Sequence, residues 1–201
     1  MIYIYGDSHG EFCFKNLRLP HVLRCEYSKT MHGVGKSRVI PKFDAREHSS
    51  DSIICFVFGE VDCRCQIKRQ KDVGRDEDDI IMELVHSYFN TILQSIDTFK
   101  EIVIVGVIPP ARYKDFPHDG PLPVMGTDEE RVRFTGKVNG LMEELSKQNN
   151  FIYFNPYGYY TRDDGTFRYE FSDDILHLKD NAVFLERFVD SVQDGTRPDH
   201  V

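Results

Sequence analysis

The segment Gly6-Asp7-Ser8-His9-Gly10 sets a hydroxyl between a carboxylate and an imidazole, directly after the apolar run Ile2–Tyr5. A serine is a weak nucleophile at neutral pH and needs a base within hydrogen-bond reach, usually a histidine held by a carboxylate. Such a pair stands late in the chain, in the segment FSDDILHLKD, where Asp174 precedes His177 by three residues. On a turn or a helix start, positions three apart face the same way. Asp174 is therefore expected to orient the His177 imidazole, leaving its other ring nitrogen to reach Ser8. A serine on a strand-to-helix bend also brings its own N–H toward a developing oxyanion.

Simpler duties fit the same residues. Gly-Asp-Ser is ordinary turn chemistry. Asp173 or Asp174 could cap the last helix, and His177 could lie on its surface. Gly-Asp-Ser-His-Gly also looks like the Gly-Asp-x-His-Gly opening of calcineurin-like metallophosphatases. That chemistry needs further ligands, including a Gly-Asn-His element that is absent here, and the other histidines are scattered singly. Cys63-x-Cys65 is too short for the usual zinc knuckle and has no second pair. No metal and no cofactor are expected.

The elements that must position Ser8 and His177 follow from hydrophobic pattern. Ile2–Tyr5, Ile53–Phe58, Ile102–Val107 and the weaker Phe151–Phe154 read as strands, with His21–Tyr27 as an edge strand. Residues 79–98 carry a continuous apolar stripe at helical spacing. Thr127–Lys147 opens with Thr127 and Glu130 in capping-box register, and residues 179–192 form the last helix. Strand and helix in alternation imply a parallel sheet covered on both faces. Lys68–Asp79 reads as a charged, solvated loop. Pro109–Met125 holds five of the nine prolines and reads as a long connection at the carboxyl end of a strand, where open α/β sheets place ligands.

Composition narrows the function. A chain of 201 residues fits one domain, and 40% hydrophobic residues rule out global disorder. A net charge of -8 without a sustained basic cluster disfavours nucleic acid as a partner. Five cysteines without framework spacing read as reduced thiols of an intracellular protein. There is no apolar run long enough for a membrane span and no basic leader, so a cytoplasmic location is expected, with no membrane partner. Oligomeric state is not legible.

With these residues in view, the chain resembles the SGNH (GDSL-type) hydrolases. YGDSHG is similar to their first block, with Ser8 as nucleophile. FGEVDCR is similar to the third block, Gly-x-Asn-Asp, and DDILH to the fifth, Asp-x-x-His. The single glycine of the second block falls on Gly35, with Gly33 as the alternative. The resemblance implies a three-layer α/β/α fold with a flavodoxin-like parallel sheet of about five strands in the order 2-1-3-4-5. It implies ester hydrolysis through an acyl-serine, with Ser8, Asp174 and His177 as the triad and the N–H groups of Ser8 and Gly35 as oxyanion donors. The family's third donor, an asparagine, is Val61 here, and Arg64 is the residue that could swing into that space. His9, Asp62 and Arg112 are the expected substrate contacts, Asp62 having loop bracing as its other role. Tyr157, Tyr159, Tyr160 and Arg162 form a polar-aromatic stretch of the kind that stacks on sugars. A small-molecule or glycan ester, such as an O-acetyl group, is the expected substrate class. A carbohydrate- or acyl-binding module on the same scaffold is the second reading, motivated by Val61.

Overall fold

Side chains alternate across a strand, so a strand buried on both faces feeds two cores. Tyr3, Tyr5, Ile54, Phe56 and Ile104 join one buried cluster. Their neighbours Ile2, Ile4, Cys55, Val57, Val103 and Val105 join the other. This two-sided demand is why these runs are nearly all apolar. In the computed structural model, residues 1–38, 40, 51–95, 99–115, 122–173 and 176–193 are described.

Five strands form one parallel sheet: β1 (Ile2–Gly6), β2 (His21–Cys25), β3 (Ile53–Val57), β4 (Glu101–Val105) and β5 (Ile152–Phe154). Their order is β2-β1-β3-β4-β5, with Gly6 level with Val57 at the carboxyl ends of the two central strands. Helices cover both faces, giving the expected three layers. On the first face lie α2 (Met31–Ser37), α4 (Glu77–Ser95) and α5 (Asp128–Gln148). On the second lie α1 (Ser8–Phe14) and α7 (Ala182–Gln193), joined by edge-to-face contacts of Phe14 with Phe184 and Phe188. The capping box of Thr127 and Glu130 is present in both directions. A short α6 (Tyr157–Tyr160) follows β5.

The charged segment after β3 differs from its expectation as a loop. Residues Asp62–Gln66 form a wide, π-type helical turn that runs into α3 (Ile67–Asp72). Cys63, Cys65 and Ile67 turn inward with Asp62 and Arg64, while Lys68, Arg69 and Lys71 are half-buried and Asp72 is exposed. Lys71 of this segment meets Glu77 at the start of α4, and Arg133 and Lys137 of α5 reach the same carboxylate. The charge density marks the outer face of a helix rather than a solvated strand of chain. Among the described residues, no helix is long and apolar enough to cross a membrane.

Candidate active site

The bend after β1 is built by Asp7. Its N–H donates to Val57 O (3.1 Å), closing β1 against β3, and its Oδ1 accepts the His9 N–H at 2.8 Å as the cap of α1. Ser8 is thereby the first residue of α1, where a backbone N–H has no intrahelical acceptor. Asp7 is 1% exposed, so its carboxylate serves the turn and does not meet solvent.

The other half comes from the loop before α7. Asp173 and His177 bond to each other twice: the Asp173 N–H donates to His177 O (3.0 Å), and the His177 N–H donates to Asp173 Oδ1 (3.0 Å). His177 Nδ1 then lies 2.9 Å from Asp173 Oδ2, and Nε2 lies 3.0 Å from Ser8 Oγ. An ionised carboxylate only accepts, which places the imidazole proton on Nδ1 and leaves the Nε2 lone pair facing the serine hydroxyl. Phe12 stacks on the His177 ring at 4.1 Å and 8°. Asn181 ties the two halves by donating to Phe12 O and Cys13 O from the start of α7. Burial is the main cause that holds the His177 pKa below its ordinary value, followed by the neighbouring His9, and Asp173 opposes both. A neutral ring in this tautomer is a base aimed at Ser8.

Solved structures share the architecture. A GDSL-like lipase from Bacteroides thetaiotaomicron superposes with a TM-score of 0.56 at 12% identity, covering 97% of this chain and 88% of the other. A catalytic mutant of an acetylxylan esterase from Geobacillus stearothermophilus gives 0.57 at 10% identity, covering 98% and 94%. The chain has the SGNH hydrolase fold. No protein-family model matches the sequence, and no curated protein does; at these identities the likeness is one of fold.

Within the SGNH fold, several expected residues have other work. The carboxylate on His177 is Asp173, four residues before it; Asp174 lies outside the described residues. Gly35 sits inside α2, where a helical N–H is already bonded four residues back. Its bare Cα lets α2 approach α4: an added Cβ would stand 2.8 Å from Ser87 Oγ and 3.0 Å from the Ser87 carbonyl carbon. Gly33 gives its N–H to the Thr30 hydroxyl at 2.8 Å. Neither glycine is therefore a free oxyanion donor in this structure.

Asp62 is fully buried. Its Oδ2 accepts the Met31 N–H at 2.7 Å and its Oδ1 the His32 N–H at 3.3 Å, so it closes the start of α2. Burial pushes its pKa up to about 7, against the pull of those two N–H groups. Arg64 is 8% exposed, with Nε on Glu60 Oε1 at 2.8 Å and Nη1 on Leu122 O, so it anchors the end of the proline-rich stretch. Val61 itself is 4% exposed and apolar. Arg112 clamps a second loop through Thr166 Oγ1 (3.1 Å) and Asp164. Tyr157 and Tyr160 spend their hydroxyls on Gly165 O and the Phe184 N–H, and Arg162 pairs with Asp115 at 3.2 Å, leaving Tyr159 exposed.

His9 remains close to the chemistry, its ring centroid 4.9 Å from that of His177. The Asp7–His9 pair that resembled a metallophosphatase opening has no third ligand: among the described residues, no group of three or more metal-ligating side chains forms. Cys63 and Cys65 are free thiols, as are Cys13, Cys25 and Cys55. The sequence offered Asp173 only as a helix cap and did not point to Asn181; the two adjacent aspartates before His177 were the available signal for Asp173.

Proposed function

We propose that the protein is a serine esterase of the SGNH type, acting on a small or carbohydrate-borne acyl ester. The observation that carries this reading is the unbroken relay Asp173–His177–Ser8 at 2.9 and 3.0 Å, formed between segments 169 residues apart. His177 takes the Ser8 proton as Oγ attacks the ester carbonyl, and Asp173 steadies the imidazolium. His177 then returns that proton to the departing alcohol, leaving an acyl-serine. Water, deprotonated by the same ring, releases the acid in a second round. The Ser8 N–H is the oxyanion donor that α1 supplies.

The acetylxylan esterase among the structural neighbours supports a glycan acetyl ester as the substrate class. Nucleic acid is an unsuited partner for an acidic chain of this charge. Val61 favours slow turnover, because losing a side-chain oxyanion donor typically costs roughly 10²–10³-fold in rate. The same residue supports the second reading, a binding module with a vestigial triad.

Fluorophosphonate labelling separates the two. Covalent modification confined to Ser8, together with p-nitrophenyl acetate hydrolysis that Ser8→Ala abolishes, is the expected result. An unmodified Ser8, or a Ser8→Ala variant that hydrolyses as fast as the parent, overturns the esterase.

A further inference from the structure

Behind Ser8, at the carboxyl ends of β1, β3 and β4, lies a cavity of about 20 Å³, room for one water. Asp7, His9 and Glu60 line it beside apolar groups such as Val57 and Val107. Four buried polar atoms there have no hydrogen-bond partner among the described residues: Asp7 Oδ2, His9 Nδ1, His9 Nε2 and Glu60 Oε2. His9 Nδ1 is 3.4 Å from Asp7 Oδ1, an ion-pair separation without a formed hydrogen bond. Native proteins rarely bury so many unsatisfied polar atoms together unless they have work to do.

We infer that His9 is a positioning residue for the esterase site proposed above: sharing its cavity with Asp7 and Glu60, its imidazole carries the positive charge that faces His177 and keeps that ring unprotonated and available as a base. The geometry supplies each part. His177 is held between the Phe12 ring, stacked at 4.1 Å, and the His9 ring, tilted by 52° at 4.9 Å. The Asp173 carboxylate on Nδ1 favours the protonated ring, and a positive neighbour counters it. Two carboxylates near one buried imidazole favour its charged form. Burial opposes this most strongly, yet Asp7 and Glu60 outweigh it and His9's pKa is raised, with Arg64 acting against them. Among the described residues, the charged groups acting on the pair are Asp7 from the first turn, Glu60 and Arg64 after β3, and Asp173 before α7. The residues that β4 and its extension bring to the cavity, Val105 to Ile108, are uncharged.

The role is regulatory in effect, because it sets the pH above which the base can act. It rests on the esterase reading for its purpose, but the charge relation is measurable without any substrate. Imidazole Hε1 resonances of His9 and His177 are to be followed by NMR from pH 4 to pH 9 in the parent protein and in His9→Gln. In the parent, His9 is expected to keep its proton to a higher pH than His177. In His9→Gln the His177 midpoint is expected to rise by about one pH unit, a tenfold change in proton affinity, and the acid limb of kcat/KM to move with it. An unmoved His177 midpoint in folded His9→Gln overturns the inference. If that variant does not fold, the parent titration decides alone: His9 losing its proton before His177 overturns it, and the opposite order supports it. Absence of esterase activity with the titration order intact would sink the activity and spare the charge relation.

Discussion

Asp173 and His177 are joined three times over, by a backbone pair, by the His177 N–H on Oδ1 and by Nδ1 on Oδ2. The turn that holds the carboxylate is thus the same one that presents the ring. Asp173→Asn exchanges an acceptor for a group that can stabilise the wrong tautomer, and a loss of kcat on the order of 10³–10⁴-fold is expected. Asp174→Asn is expected to keep the parental kcat, because both His177 ring nitrogens already have partners. Steady-state kinetics of the two variants side by side check this.

The pH profile follows from the depressed pKa of His177. A base must be unprotonated, so kcat/KM falls on the acid side as the ring takes up its proton. Burial moves that fall to below the ordinary histidine value near 6.5. A bell whose acid limb lies above that value would contradict the arrangement; initial rates on p-nitrophenyl acetate across pH 4 to 9 are the measurement.

Val61 offers a gain-of-function test. Val61→Asn restores an amide where SGNH hydrolases carry one, and a rise in kcat of tenfold or more is expected. The cost is a buried polar group, about 1–3 kcal/mol of stability when imperfectly paired. Rates and denaturant midpoints, measured together, separate the two effects.

Gly35 predicts a purely structural defect. In Gly35→Ala the new methyl meets the Ser87 hydroxyl and backbone, so α2 must move off α4, at a cost of about 1–3 kcal/mol. Equilibrium unfolding reports it. Fluorophosphonate labelling of the remaining folded protein should match the parent, since α2 supplies no donor to the site.

Asp62 links stability to pH. Its folded pKa of about 7 stands above the ordinary 3.8, so the folded state binds the proton more tightly. Unfolding then releases a proton between those values, and this contribution to stability is lost as pH rises from about 4 through 7. Asp62→Asn should flatten the curve of stability against pH across that window while keeping an acceptor for Met31. Asp62→Ala should flatten the curve likewise but lie about 1–3 kcal/mol below Asp62→Asn at every pH, the cost of stranding the N–H groups that begin α2. Thermal unfolding at pH 5 and pH 8 distinguishes them.

The sheet was legible because strands buried on both faces leave no choice of residue: Ile53–Val57 and Glu101–Val105 fall within two residues of their expected limits. Thr127 and Glu130 were legible because a capping box is local. Ser8 and His177 were found as types, at the two ends of the pattern. What failed was long-range. Nothing around Gly35 says that its missing side chain faces Ser87 rather than a substrate, and nothing in Asp62 says that it closes a helix begun thirty residues earlier. Arg64 and Arg112 look like ligands in one dimension, because the carboxylates that engage them can be recognised only after folding. The helix at 67–72 was hidden by charges that the eye assigns to loops.

Asn181 fastens the beginning of α7 to the backbone at Phe12 and Cys13, and Phe184 and Phe188 lock the same helix over Phe14. Ser8 and His177 stand 169 positions apart, so they come within 3.0 Å only while α7 is seated on α1. Loosening that helix would part the two groups without altering either.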